Sequence, residues 1–134
     1  MAEQERKWQP ITPNKDAPPP AGAYSPGVRA GDFIFVSGQV PKNPKTGELV
    51  GDDVATQTRQ VLANVRDILE AAGASLDDVV SVIAYLSDID DWGTFNETYK
   101  GIMKAPYPSR TALGASLRGI LVEVSAVAYV GGRR

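Results

Sequence analysis

At 134 residues, with 43% hydrophobic and 22% charged side chains, the chain has the size and composition of one ordinary globular domain, which excludes a disordered or fibrous polymer. It contains no cysteine and no histidine, so disulfides, thiolate nucleophiles, cysteine- or histidine-held metals and Ser-His-Asp or Cys-His catalysis are excluded. A formal net charge of −2, with basic residues scattered apart from Arg133-Arg134, gives no attraction to a phosphate backbone and sets nucleic acid aside as a partner.

The opening residues 1–7 (MAEQERK) are polar, with none of the apolar core of a secretory signal, and no window approaches the roughly 18 apolar residues of a membrane span. The expectation is a cytoplasmic protein without membrane contact. Residues 1–27 are rich in proline, with Pro18-Pro19-Pro20 at the centre, and read as an extended arm carrying a short edge strand around 8–12. Residues 33–36 (FIFV), bounded by Gly31-Asp32 and Ser37-Gly38, predict a strand buried on both sides, and Asn43-Pro44-Lys45-Thr46-Gly47 a turn.

From Val54 to Ala72 the apolar residues Val54, Val61, Leu62, Val65, Ile68, Leu69 and Ala72 recur at helical spacing, with Asp52 or Asp53 as N-cap and Gly73 as the stop. Ser75-Leu76-Asp77-Asp78 reads as a capped turn and residues 79–86 (VVSVIAYL) as a buried strand. Trp92, Phe95, Tyr99, Ile102 and Met103 predict a second helix, ended by Pro106 and Pro108. Asp88, Asp90 and Gly93 imitate the start of a calcium loop, but Trp92 and Tyr99 stand where its fifth and twelfth ligands belong, so Asp90 or Asp91 reads as a helix cap.

Strands around 109–116 and 121–130 close the chain. This order predicts an α+β fold, a mixed sheet with both helices on one face. In the last strand Val122, Val124, Ala126, Ala128 and Val130 share one side, while Leu121, Glu123, Ser125, Val127 and Tyr129 share the other. That second side is mixed rather than polar, which predicts a homo-oligomer.

Four segments carry a family resemblance: Gly22-Ala23-Tyr24-Ser25-Pro26; Val36-Ser37-Gly38-Gln39-Val40-Pro41 running on through Asn43 to Glu48; Asn96-Glu97-Thr98-Tyr99; and Pro108-Ser109-Arg110-Thr111 followed by Val122-Glu123-Val124. In this order and spacing the chain resembles the Rid, or YjgF, family of reactive intermediate deaminases. The resemblance implies a chorismate-mutase-like fold assembled as a homotrimer with ligand clefts between subunits. It implies hydrolysis of enamines and imines of the 2-aminoacrylate/2-iminopropanoate type to a 2-keto acid and ammonia, with neither cofactor nor metal.

Such a substrate carries a carboxylate beside the reacting carbon. An arginine guanidinium holds a carboxylate through two parallel charge-assisted hydrogen bonds, and Arg110 matches the family's substrate-binding arginine. Imine carbon is already electrophilic, so hydrolysis needs a positioned water and a proton relay rather than a covalent nucleophile. Glu123 matches the glutamate of the family signature and is the candidate for orienting that water. Its plain alternative is a surface ion pair.

Tyr24 matches a tyrosine that closes over the ligand, against a simple anchor for the arm. Ser37 and Gly38 match the cleft edge, against a strand terminus with a turn. Asn96 matches a position near the cleft, where a structural role is favoured, and Thr111 stands beside the arginine at the substrate. The sequence departs from many archetypes in having Thr111-Ala112 where they have serine and cysteine, and in a somewhat shorter segment between Arg110 and Glu123. These departures leave substrate identity open, with aminoacrylates from pyrimidine breakdown and 2-aminomuconate as further candidates. The alternative function is a non-catalytic trimer that binds small carboxylates and regulates or protects other proteins. A ribonuclease reading finds no histidine pair and no basic track in this chain.

Overall fold

The computed structural model describes residues 5–13 and 18–132. Chain order runs β1 (Gln9–Ile11), β2 (Gly27–Ala30), β3 (Phe33–Gln39), α1 (Val54–Ala71), β4 (Val79–Leu86), α2 (Trp92–Met103), β5 (Ser109–Gly114) and β6 (Val122–Tyr129). The strands form one six-stranded sheet in the order β1-β2-β3-β6-β4-β5. Neighbours are antiparallel except β4 and β5, which run parallel because α2 carries the chain back between them.

The expected mixed sheet with two helices is present. β1 falls within the predicted edge strand and contains Pro10, whose missing N–H is tolerated at an edge. β2 was not expected: the arm was read as running to Gly27 and residues 28–30 were assigned to no element, yet Gly27–Ala30 pairs with β3 from Gly27↔Val36 to Ala30↔Phe33.

Helix α1 buries Val54, Val61, Leu62, Val65, Ile68 and Leu69 against the sheet, each contributing roughly 1.5–3 kcal/mol of hydrophobic stabilisation. Asp53 caps it, accepting from the Thr56 backbone N–H at 3.0 Å, and that bond to the charged form holds its carboxyl below the ordinary value of 3.8. Gly73, at φ +78°, supplies the left-handed residue that ends it. Two buried amides tie the helix to its surroundings. Gln57 donates to the Gly51 carbonyl and accepts from the Leu121 N–H, while Asn64 donates to the carbonyls of Val40 and Lys42, fixing the segment that follows β3.

The second helix starts differently from expectation. Asp88, rather than Asp90 or Asp91, is the capping acid: it accepts from the Asp90 N–H at 2.9 Å and opens a single 3-10 turn that runs into α2, whereas Asp91 makes no side-chain cap bond. A capping oxygen must lie two or three residues before the N–H it receives, so the extra turn moves the role back along the chain. Phe95, Tyr99 and Met103 of α2 are buried, and Lys104, at φ 61°, turns the chain away.

Both helices cover one face of the sheet, and the core lies between them and Ile34, Val36, Val82, Ala84, Val122, Val124, Ala126 and Ala128. The other face is uncovered. This corrects the expectation that residues 33–36 are buried on both sides: Ile34 and Val36 are buried, but Phe33 and Phe35 are 43% and 46% exposed. Phe33 packs on Tyr129 with ring centres 5.1 Å apart, and Phe35, Ile83 and Leu113 extend the open apolar surface. Among the described residues no helix is long and apolar enough to cross a membrane.

Candidate functional site

The predicted site residues gather about two positions, Arg110 on the helix-covered face of the sheet and Gly38, beside which Glu123 projects from the uncovered face. Arg110 lies on β5 level with Val82, a core residue, so its side chain turns toward the helices. There it is half-buried against α2, donating from Nη1 to the Asn96 Oδ1 at 2.9 Å. It lines a cavity of about 270 Å³ together with Asn96, Tyr99, Lys100, Tyr107 and Pro108. Two cations and no acid border this space. Among the described residues no carboxylate lies within ion-pair reach of Arg110, the recorded pair being Arg66–Asp67.

The Asn96 amide oxygen accepts from the guanidinium and lines the same cavity. Tyr99, buried beneath, has a hydroxyl with no hydrogen-bond partner among the described residues, and burial raises its pKa above the ordinary 10.0, with the Arg110 charge opposing. The phenol is neutral at physiological pH.

The second group sits where β3 meets β6. Their pairing runs Val36↔Ala126 and then Gln39↔Val124, so β3 carries one extra residue, a bulge that contains Ser37 and Gly38. These residues lie inside the strand, not at its terminus. Glu123 alternates with the buried Val122 and Val124, so its side chain projects from the uncovered face. It packs against Gly38 so closely that a Cβ there would collide with the carboxylate, whose Cδ would stand 3.1 Å away. Glycine at 38 is what admits the acid.

The Ser37 hydroxyl donates to the Ser25 carbonyl at 2.7 Å, which commits its proton to the backbone and leaves its lone pairs available. Tyr24, 53% exposed, lines with Gly38 a groove of about 590 Å³ that runs between the proline-rich segment and α1. Thr111, next to Arg110, points the opposite way and stands level with Ile83 on the uncovered face.

Tyr24, Ser37, Gly38 and Glu123 are thus neighbours, and Asn96 and Arg110 are neighbours, but the two groups are apart. Arg110 is level with Val82 on β4 and, through it, with Ala126 on β6; Glu123 lies three residues further along β6. Two strand spacings and three residues amount to roughly 10 Å in each direction, on opposite sides of the sheet. Within one chain a molecule held by Arg110 cannot also touch Glu123.

Residues the sequence did not single out complete the Arg110 surroundings: Tyr99, Lys100 and Tyr107. Tyr99 was read in an apolar helical stripe and in the Asn96-Glu97-Thr98-Tyr99 segment, without a role at the site. The signal that could have marked it is Asn96, a polar residue set into that stripe between Phe95 and Tyr99. Among the described residues no group of three acids lies close enough to hold a metal ion.

A family model described as endoribonuclease L-PSP matches residues 14–130. A RutC family protein of Pyrococcus horikoshii is 46% identical over 117 residues, covering 86% of this chain and 93% of its own length. A 2-iminobutanoate/2-iminopropanoate deaminase of Escherichia coli K12 is 40% identical over 119 residues, covering 85% and 92%. Among solved structures, Escherichia coli TdcF with bound serine matches with a TM-score of 0.82 at 35% identity, over 90% of this chain and 98% of that one.

Proposed function

The chain belongs to the endoribonuclease L-PSP family, also called Rid or YjgF, and from that premise we propose that it is a cytoplasmic homotrimeric deaminase hydrolysing 2-imino acids to 2-keto acids and ammonia. The observation that carries this reading is Arg110: a half-buried guanidinium with no acid partner among the described residues, opening on a cavity bordered by cations. An uncommitted arginine in such a place fits a small carboxylate. Two relatives support the class of ligand, one named for imino acid deamination and one solved with an amino acid bound. The absence of histidine and the net charge of −2 weigh against RNA as the substrate.

In the proposed reaction Arg110 holds the substrate carboxylate, and Glu123 of a neighbouring copy accepts a hydrogen bond from the attacking water. Water adds to the imine carbon, its proton passing by way of the carboxylate to the nitrogen; the resulting carbinolamine expels ammonia and leaves the keto acid. Tyr24 covers the site, with Ser37, Gly38 and Thr111 at its edge. Because Arg110 and Glu123 project from opposite faces, the reading requires two chains at each site.

The test is a coupled assay in which a serine or threonine dehydratase releases the imine while ammonia and keto acid are followed. The wild type should accelerate hydrolysis; Arg110→Ala should lose roughly 10²-fold or more, and Glu123→Ala at least as much. Unfolding and re-assembling the two inactive variants together should restore part of the activity, since some sites then draw an intact arginine and an intact glutamate from different chains. An Arg110→Ala variant as active as the parent would overturn the mechanism. A wild type that binds keto acids through Arg110 but accelerates nothing would replace it with the carboxylate-binding protein.

A further inference from the structure

Three aromatic rings hold the Arg110 guanidinium where an acid would usually stand. Its Cζ lies 4.8 Å from the ring centre of Tyr99, 5.5 Å from that of Trp92 and 5.7 Å from that of Phe95. All three rings come from one side of α2, at positions 92, 95 and 99, a spacing that stacks them over successive turns. Phe95 and Tyr99 are buried with ring centres 5.5 Å apart and form a fixed floor. Trp92, at 42% exposure, is a wall at the helix start and does not line the cavity.

We infer that Trp92, Phe95 and Tyr99 are positioning residues that hold Arg110 by its faces so that its N–H edge stays open to a carboxylate. The inference rests on the reading of Arg110 as the substrate grip. Half-burial costs a guanidinium part of its hydration, and a protein commonly offsets that loss with an aspartate or glutamate. Such an acid would occupy the donors a ligand needs. An aromatic face attracts the charge through its quadrupole and takes no N–H. Asn96, a neutral acceptor, engages a single donor.

The arrangement also favours occupancy. When a ligand enters, water leaves the guanidinium, and attraction between cation and ring strengthens as the surroundings become less polar. Trp92 is the informative member, because its exposure lets it be replaced without opening the core.

The experiment is calorimetric titration with 2-oxobutanoate, an unreactive keto acid, alongside steady-state kinetics for the wild type, Trp92→Ala, Trp92→Phe and the exposed α2 control Glu97→Ala. Trp92→Ala should raise the Kd about 3- to 5-fold, the size of one partly exposed cation–π contact. KM should rise with it while kcat changes less, Trp92→Phe should recover most of the loss, and Glu97→Ala should bind as the parent does. In a Trp8→Phe background, leaving Trp92 as the sole tryptophan, 2-oxobutanoate should shift the emission saturably with the same Kd.

Equal affinity of Trp92→Ala and the parent, or an emission that does not respond, overturns the inference and leaves the deaminase reading standing. Binding that is absent from the wild type, or that survives Arg110→Ala, overturns both, since the grip itself is then wrong.

Discussion

Glu123 reaches its position because residue 38 has no side chain. In Gly38→Ala the new methyl group would meet the Glu123 carboxylate at the bulge of β3, and the acid is the more mobile of the two. The variant should fold, since Gly38 is only partly buried and its backbone is not in the left-handed region. Imine hydrolysis should fall by roughly 10-fold or more as the acid is displaced, while keto acid affinity, which the proposed mechanism assigns to Arg110 on the other face, should stay within about two-fold. Parallel activity and binding assays check the split. At this scale the sequence was legible in part. Glycine at 38 was read as a cleft edge, and only the folded strands bring Glu123 against it. Arg110 was read as a carboxylate grip from the family resemblance alone, whereas its aromatic surroundings lie 11 to 18 positions earlier and required the tertiary fold.

Elements with a local period were legible, and elements defined by partners were not. Helix α1 could be bounded from its apolar spacing, Asp52 or Asp53 as cap and Gly73, because these signals lie within or next to the segment itself. β2 could not, since Gly27-Val28-Arg29-Ala30 has no alternation long enough to read and becomes a strand only by pairing with β1 and β3. The cap of α1 offers a test with a defined sign. Asp53 titrates below its ordinary value in the folded chain, so its contribution is present above pH 3.8 and is lost as the pH falls through the folded value. Asp53→Ala should therefore melt at a lower temperature than the parent at pH 7, and the difference should close as the pH is taken below 3.8. Thermal unfolding followed by circular dichroism at several pH values checks it; a difference independent of pH would assign the loss to something other than the cap.

For the whole molecule, alternation along the last strand separated the core side from the mixed side, and the structure adds what lies beside it: Phe33, Phe35, Ile83, Leu113 and Tyr129 on an uncovered sheet face. If that face is where copies meet, Phe35→Asp should leave the secondary structure intact and yield a monomer at micromolar concentration by light scattering, with hydrolysis lost although Arg110 and Glu123 are both present. A Phe35→Asp protein that keeps the parent's oligomeric state would place the interface elsewhere. What the sequence could not supply is the side of β5 to which Arg110 turns, because six residues with little alternation leave that to the pairing with β4.

The two borders of the sheet are unequal. One is β1, three residues long and lacking a donor at Pro10; the other is β5, six residues with every amide intact. A second chain could add neatly to the β5 border alone, and the far side of that chain would again present a β1. Lengthwise growth through backbone pairing therefore stops after a single junction, and a protein that exposes this much apolar surface is still a poor seed for a fibre.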